Sequence, residues 1–178
     1  TAGDYNTFIG RDTGRSNTTG DYNTFIGMGT GYSNTTGDHN TFVGMGAGYY
    51  STVNDYNTFI GRDAGRCLAD GSSPAEELSQ SIFLGANTKA SSSSDVNEIV
   101  IGYNATGAGS NSVVLGNDDV TKTLLKGNVS IDATSTTSKF AVNGGRVTID
   151  VDGTFTEGDH HPVSYTHLRA HETSLHLV

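Results

Sequence analysis

Apolar residues first appear along this chain in a recurring phrase: "DYNTFIG" to Gly10, the same to Gly27, "DHNTFVG" to Gly44 and "DYNTFIG" to Gly61. In each phrase the two large apolar residues are neighbours, such as Phe8 and Ile9. On an extended backbone neighbours point to opposite faces. A strand with one face in water alternates apolar and polar residues, so this pattern predicts strands covered on both sides. No apolar run here has helical spacing. The closing glycines are 17 residues apart, and a fixed period of that size marks a stacked-repeat architecture. Gly3-Asp4, Gly20-Asp21, Gly37-Asp38 and Asn54-Asp55 precede the strand, and Gly14, Gly31, Gly48 and Gly65 follow it. Glycine and asparagine supply left-handed backbone cheaply, so these are corners. The stretches "RSNTT" and "YSNTT" between corners are rich in β-tolerant residues and predict a second short strand. One unit therefore reads strand, corner, strand, corner: one coil of a β-solenoid or β-roll.

The pattern continues in "SIFLG" to Gly85, "NEIVIG" to Gly102 and "NSVVLG" to Gly116. The step from Gly61 to Gly85 exceeds the period by seven residues, within "GSSPAEELSQ". Ser73, Pro74 and Glu76 there form a helix-start signal, predicting a short helical turn or bulging loop. The following steps are 17 and 14. Seven coils at strand spacing make a rod on the order of 30 Å long. The expected organisation is four coils over 1–71, an insertion over 72–80, three coils over 81–127, a β-rich stalk over 128–160 and a foreign tail over 161–178.

Stacking turns each position into a column. Tyr5, Thr7 and Ile9 share one strand face, Asn6 and Phe8 the other. A coil has one interior, so one apolar column needs another cover. Thr7/Ile9 and its repeats are assigned inward. The other column, Phe8, Phe25, Phe42 and Phe59 continued by Phe83, Val100 and Val114, is then an exposed stripe large enough to mark an interface. The expected cover is other copies of the chain around a common axis, preferred over the plainer alternative in which the Phe column is the coil's own core and Thr/Ile faces a covering loop, since the sequence offers no long apolar loop for that.

Composition sharpens this. The chain has 24 Gly in 178 residues, no Trp and 34% apolar residues, thin for a conventional globular core. The net charge of −9 argues against nucleic acid, which needs clustered Lys and Arg, and against an anionic membrane. The sequence has no membrane-inserting run and no signal peptide. It opens inside a repeat, so the natural N-terminus is expected to lie upstream. Cys67, the single cysteine, cannot form an intrachain disulfide and leaves the redox compartment open.

Beyond the coils, β-rich runs at 123–125, 128–131, 139–142 and 146–151 with "NGG" and "DG" turn signals predict an irregular β stalk. "PVSYTHLRAHET" over 162–173 fits neither pattern. It resembles the translation of a sequencing-library adapter, so the reading frame is expected to leave the natural gene near His161, and the tail is excluded from fold reasoning.

"GDYNTFIGRDTGRSNTTGDYNTFIGMGTGYSNTT" resembles the NTFIG-x-x-AG repeats of phage-type tail fibres and related bacterial surface proteins. "NEIVIGYNATGAGSNSVVLG" is similar to head repeats of trimeric autotransporter adhesins, and "GNVSIDATSTTSKFAVNGG" resembles the segment preceding an endosialidase-type intramolecular chaperone. The resemblance covers about residues 1–155. It implies a homotrimeric fibre, extracellular or on a virion, that mediates host or surface attachment and whose chaperone lies beyond this sequence. The adhesin strand usually carries Ala where this chain has Phe8, Phe25, Phe42 and Phe59, a departure that bears on trimer geometry.

Reactive chemistry is sparse. "GMGTGY" and "GMGAGY" superficially resemble phosphate loops, but they recur as corners and precede no helix. Asp150 and Asp152 lack the rest of a calcium loop, Asp118-Asp119 reads as a polar corner, and His160-His161 lacks partners at ligand spacing. His39 replaces Tyr in its column. No Ser/His/Asp set or paired carboxylates can be assembled, so no catalytic, metal or cofactor residue is expected, and a glycan-cleaving enzyme is disfavoured. Coils one and four carry Arg11, Asp12, Arg15, Arg62, Asp63 and Arg66 where coils two and three carry Met28, Tyr32, Met45, Tyr49 and Tyr50. Tyrosine offers an apolar face and a hydroxyl, so Tyr32, Tyr49 and Tyr50 are candidate contacts for a cell-surface glycan or protein receptor, against the plainer reading of solvated corners. The alternative is a glycan- or ice-binding solenoid without a fibre role. Ice binding needs the Thr7, Thr24, Thr41 and Thr58 column exposed on a flat face, and the inward assignment counts against it.

Overall fold

The computed structural model describes residues 3–126. It is a β-solenoid. Seven three-residue strands, β1 (Thr7–Ile9), β2 (Thr24–Ile26), β3 (Thr41–Val43), β4 (Thr58–Ile60), β5 (Ile82–Leu84), β6 (Ile99–Ile101) and β7 (Val113–Leu115), form one parallel sheet in chain order. The register is the one the repeat dictates: Phe8 pairs with Phe25, Phe42, Phe59, Phe83, Val100 and Val114 in succession. The predicted stalk over 128–160 and tail over 161–178 lie outside the described residues.

Each coil has one strand, not two. The "RSNTT" stretch forms turns, closed by bonds such as Asn17 N to Gly14 O (3.0 Å), and neighbouring coils still pair there through Ser16 N to Tyr32 O (3.1 Å). Left-handed residues on both sides of the strand break the extension: Tyr5, Tyr22, His39 and Tyr56 have φ of 57–59°. Such backbone costs a bulky residue on the order of 1 kcal/mol. The rings of this column stack face to face at 4.8–4.9 Å, His39 between Tyr22 and Tyr56, which offsets the strain. The later coils use Gln80, Asn97 and Asn111 at the same place.

The face assignment from sequence is reversed. Phe25, Phe42, Phe59, Phe83 and Val100 are fully buried inside their own chain, with Phe8 and Val114 half-buried at the two ends. The Phe column is therefore not the exposed stripe. The reason lies in the glycine six residues on. A Cβ on Gly31 would fall 2.5 Å from the Phe25 ring, and Gly48 relates to Phe42 in the same way. The coil is so thin that a phenylalanine reaches the far corner and lies on bare backbone. The rings then stack along the axis at 4.6–5.0 Å with planes within 9°. Phe83 breaks the series: six residues on stands Lys89, and its ring turns to 88° against Phe59.

Asparagine completes the interior. Asn23, Asn40 and Asn57 are buried, and each Oδ1 accepts the backbone N–H of the next coil's residue in that column (2.9–3.0 Å). Their Nδ2 groups donate to the carbonyls of Gly37, Asn54 and Leu78. Buried amides are tolerated here because the ladder pairs them. Asp4, Asp21 and Asp38 run a parallel ladder at the edge, each backbone N donating to the next aspartate's Oδ1 at 2.6–2.7 Å.

Glu98 takes the asparagine position in the sixth coil and is fully buried; its Oε1 accepts Gly109 N (2.8 Å), while Oε2 has no partner among the described residues. Burial pushes its carboxyl above the ordinary glutamate range, and Asp95 adds to the rise. A raised folded pKa means stability is greatest below the unfolded pKa of about 4.3 and falls as pH climbs through the folded value. Glu98→Gln is expected to flatten that fall and to be more stable than the parent at pH 7, with the two converging near pH 4. Urea midpoints across pH check this, and equal midpoints at pH 7 would refute it.

Candidate functional site

Two surfaces stand out from the regular coil. The first is the outward strand face. With phenylalanine inside, the alternate positions point to solvent: Thr7/Ile9, Thr24/Ile26, Thr41/Val43 and Thr58/Ile60, then the wholly aliphatic Ile82/Leu84, Ile99/Ile101 and Val113/Leu115. Ile9 is 57% exposed, Leu115 53% and Val113 63%. No charged side chain interrupts these two columns. The apolar strip continues round the corner through Met28 and Met45, both exposed. An uncovered apolar column is therefore present as the repeat implies, with its residues exchanged. The threonine column also lies on the outside, which removes the objection to a threonine-dependent surface.

The second surface is built on the corners after the strands. Arg15, Tyr32, Tyr49 and Arg66 occupy one column. The two tyrosine rings stack at 4.8 Å, and Arg15 and Arg66 cap the pair from either end at 5.5 and 5.0 Å. Tyr50 meets Tyr49 edge-on at 76° and lies 5.5 Å from Arg66. The structure thus brings Tyr32, Tyr49 and Tyr50 together, all half-buried. It differs from the sequence reading in what they present: the stack consumes the faces of Tyr32 and Tyr49, leaving edges and hydroxyls. These edges, Met28, Met45 and the Gly29 and Gly46 backbone line a shallow trough of about 200 Å³. Asp12–Arg15 (3.5 Å) and Asp63–Arg66 (2.7 Å) close its two ends. The Asp63 hydrogen bond raises the Arg66 pKa further, so the guanidinium is charged at every accessible pH.

Beyond Arg66 the chain departs from its period. Residues 68–74 leave the coil as a hairpin, closed by a Cys67–Pro74 bridge and by Leu68 N to Ser73 O (2.8 Å). The predicted helical turn is absent; a bulging loop forms instead, at 68–74 rather than over 72–80, because Ala75 and Leu78 are already buried in the core. Asp70 accepts from Ser73 Oγ and from the backbone N–H groups of Ser72 and Ser73, which hold its carboxyl down at about 2. Between hairpin and corners lies a second cavity of about 440 Å³, with Tyr50, Arg66, Lys89, Asn87 and Asn104 on its walls. Sequence reasoning missed Lys89, Asn87 and Asn104; the available signal was the seven-residue surplus beside them. Burial pushes the Cys67 thiol on this wall up, which keeps it protonated at neutral pH.

Among the described residues no three His, Cys, Asp or Glu side chains converge as metal ligands, and no helix is long and apolar enough to cross a membrane. Comparison of the chain with protein-family models, curated proteins and solved structures gives no match.

Proposed function

We propose that this chain is a structural and attachment segment of a fibre, a phage tail fibre or bacterial surface adhesin, acting outside the cell or on a virion. Its partners are two further copies of itself, and a surface receptor at the tyrosine corner. The observation that carries this is the outward strand face: aliphatic side chains run the length of a sheet whose own core is already full. A contiguous apolar surface of that extent, free of charge, has the composition of an interface core. Copies packed around a common axis would cover it, and the resemblance to tail-fibre and trimeric-adhesin repeats points the same way.

The test is solution mass. The parent is expected at three times the 18.6 kDa chain mass, and Leu84→Lys with Ile101→Lys at one third of that with an unchanged circular dichroism spectrum. A folded parent that remains a single chain at micromolar concentration would sink the trimer. One observation favours a second reading: Thr7, Thr24, Thr41 and Thr58 stand outward in register, as an ice-binding face requires. The column gives way to Ile82, Ile99 and Val113, so the hydroxyl array is short and the apolar one continuous. Thermal hysteresis on freezing would decide for ice.

A further inference from the structure

Among the described residues the hairpin at 68–74 is the one insertion in the repeat, and the larger of the two cavities forms where it stands. Loops set on a rigid scaffold are where binding residues concentrate. The coil side of the cavity is a column of left-handed corners, Asp63, Asn87 and Asn104, with φ of 55–56°. The hairpin tip supplies Gly71 and Ser72 opposite, and Tyr50 one side. Charges in this space are unevenly committed. Asp63 is neutralised by Arg66 at 2.7 Å. Asp70 is turned into its own loop by three hydrogen bonds. Lys89 makes no ion pair among the described residues; its Nζ donates only to Asn104 Oδ1, at 2.5 Å. The lining itself, Asp63, Arg66 and Lys89, therefore sums to one positive charge, with Lys89 as its unpaired cation and the ionised Asp70 turned away into the hairpin.

The remaining groups suit a polyol. Each amide Nδ2 offers a donor pair to a hydroxyl oxygen, while the oxygens already accept, Asn104 Oδ1 from Lys89 and Asn87 Oδ1 from Arg62 at 3.4 Å; the Ser72 hydroxyl can donate or accept, and Asn87, Asn104 and Ser72 sit within one small space. The Tyr50 ring supplies apolar area for the carbon face of a sugar. At about 440 Å³ the volume lies in the small-ligand range of roughly 300–1,000 Å³. A lysine ammonium is a point charge that pairs with a carboxylate without demanding one geometry.

We propose that the hairpin cavity binds a saccharide unit bearing a carboxylate, with Lys89 holding the carboxylate, Asn87, Asn104 and Ser72 the hydroxyls, and Tyr50 the ring. The inference rests on the attachment role and extends the receptor contact from the tyrosine corner into the hairpin cavity, with Tyr50 common to both.

The experiment titrates the full chain with methyl glucuronide and with methyl glucoside, which differ only in the carboxylate. The parent is expected to bind the glucuronide at least about tenfold more tightly. Lys89→Gln should abolish that preference while leaving glucoside binding unchanged, and removal of residues 68–74, which restores the 17-residue period, should abolish both. Circular dichroism confirms that each variant folds. Equal affinity of the parent for the two sugars, no binding of either, or a full glucuronide preference in Lys89→Gln overturns the proposal. Solution mass separates the two ideas: a single chain that binds glucuronide keeps the cavity and loses the fibre, whereas a trimer that binds neither sugar does the reverse.

Discussion

Phe42→Ala is expected to cost about 3–5 kcal/mol of stability, the range for emptying a buried aromatic site. Phe42 is fully buried, with Phe25 stacked on one side at 4.8 Å and Phe59 on the other at 4.6 Å. Neither neighbour can move into the void. Each strand is pinned in register by its parallel pairing with the coils above and below, and the corner beneath the ring is Gly48, with no side chain to fill space. Solenoid coils are stabilised chiefly by their neighbours, so a defect in the third of seven coils weakens two interfaces at once. Against a total of about 5–15 kcal/mol for a typical domain, the variant should lose most of its folded population in mild urea. Phe8→Ala, at the rod end with one stacking neighbour and partial exposure, should cost clearly less. Ile26→Ala, on the outward face, should cost less than about 1 kcal/mol in the isolated chain. Urea unfolding of the three variants in the single-chain Leu84→Lys/Ile101→Lys background checks the order. If Ile26→Ala were the most damaging, the faces would be the other way round.

That order bears on how far the amino-acid sequence by itself reveals the fold. The period, the corner glycines, the alternation of faces and the coil count are all legible, because each rests on local chemistry repeated many times. The choice of interior face is not. Asn6 and Phe8 alternate on one side and Thr7 and Ile9 on the other, and asparagine counted as polar tips the first side outward. The ladder reverses that weight, since an asparagine stacked on its own copies satisfies its amide inside. A subtler clue lies in the spacing: a glycine follows each of Phe8, Phe25, Phe42 and Phe59 by six residues, and Phe83 alone is followed by a lysine. Large residue and missing side chain are complementary across a thin coil. The tyrosine cluster is legible as a set, because its members repeat. That Arg15 and Arg66 seal the stack is not, because the column crosses four coils of different composition. The hairpin cavity is beyond reach for a similar reason: Tyr50, Lys89 and Asn104 meet only after two coils are stacked and the inserted loop is folded.

The asparagine ladder gives the other large expected effect. Asn40→Leu keeps the branching at Cγ but replaces the amide with two bulkier methyl groups, and is expected to destabilise by at least about 2–5 kcal/mol, since each buried partner left unpaired costs about 1–3 kcal/mol and overpacking adds to it. Several groups lose partners together. Asn40 Oδ1 accepts Asn57 N at 3.0 Å and Asn57 Nδ2 at 3.1 Å, and Asn40 Nδ2 donates to Asn54 O at 2.5 Å and to Asn23 Oδ1 at 3.1 Å. All these residues are buried, so no water replaces the bonds. Asn40→Asp separates the hydrogen-bond loss from the shape. Ionised, the carboxylate accepts but cannot donate, and it faces Asn54 O and Asn23 Oδ1 with a buried charge. Protonated, it regains one donor. Its folded pKa must then lie above the unfolded value of about 3.9. Stability relative to the parent is accordingly best below that value and declines as pH rises through the folded pKa. Urea midpoints at several pH values should therefore show Asn40→Asp closing on the parent in acid and falling far below it at pH 7, while Asn40→Leu stays at a constant deficit. A flat Asn40→Asp difference across pH would mean that the amide column is open to water, and the interior assigned to this face would have to be abandoned with it.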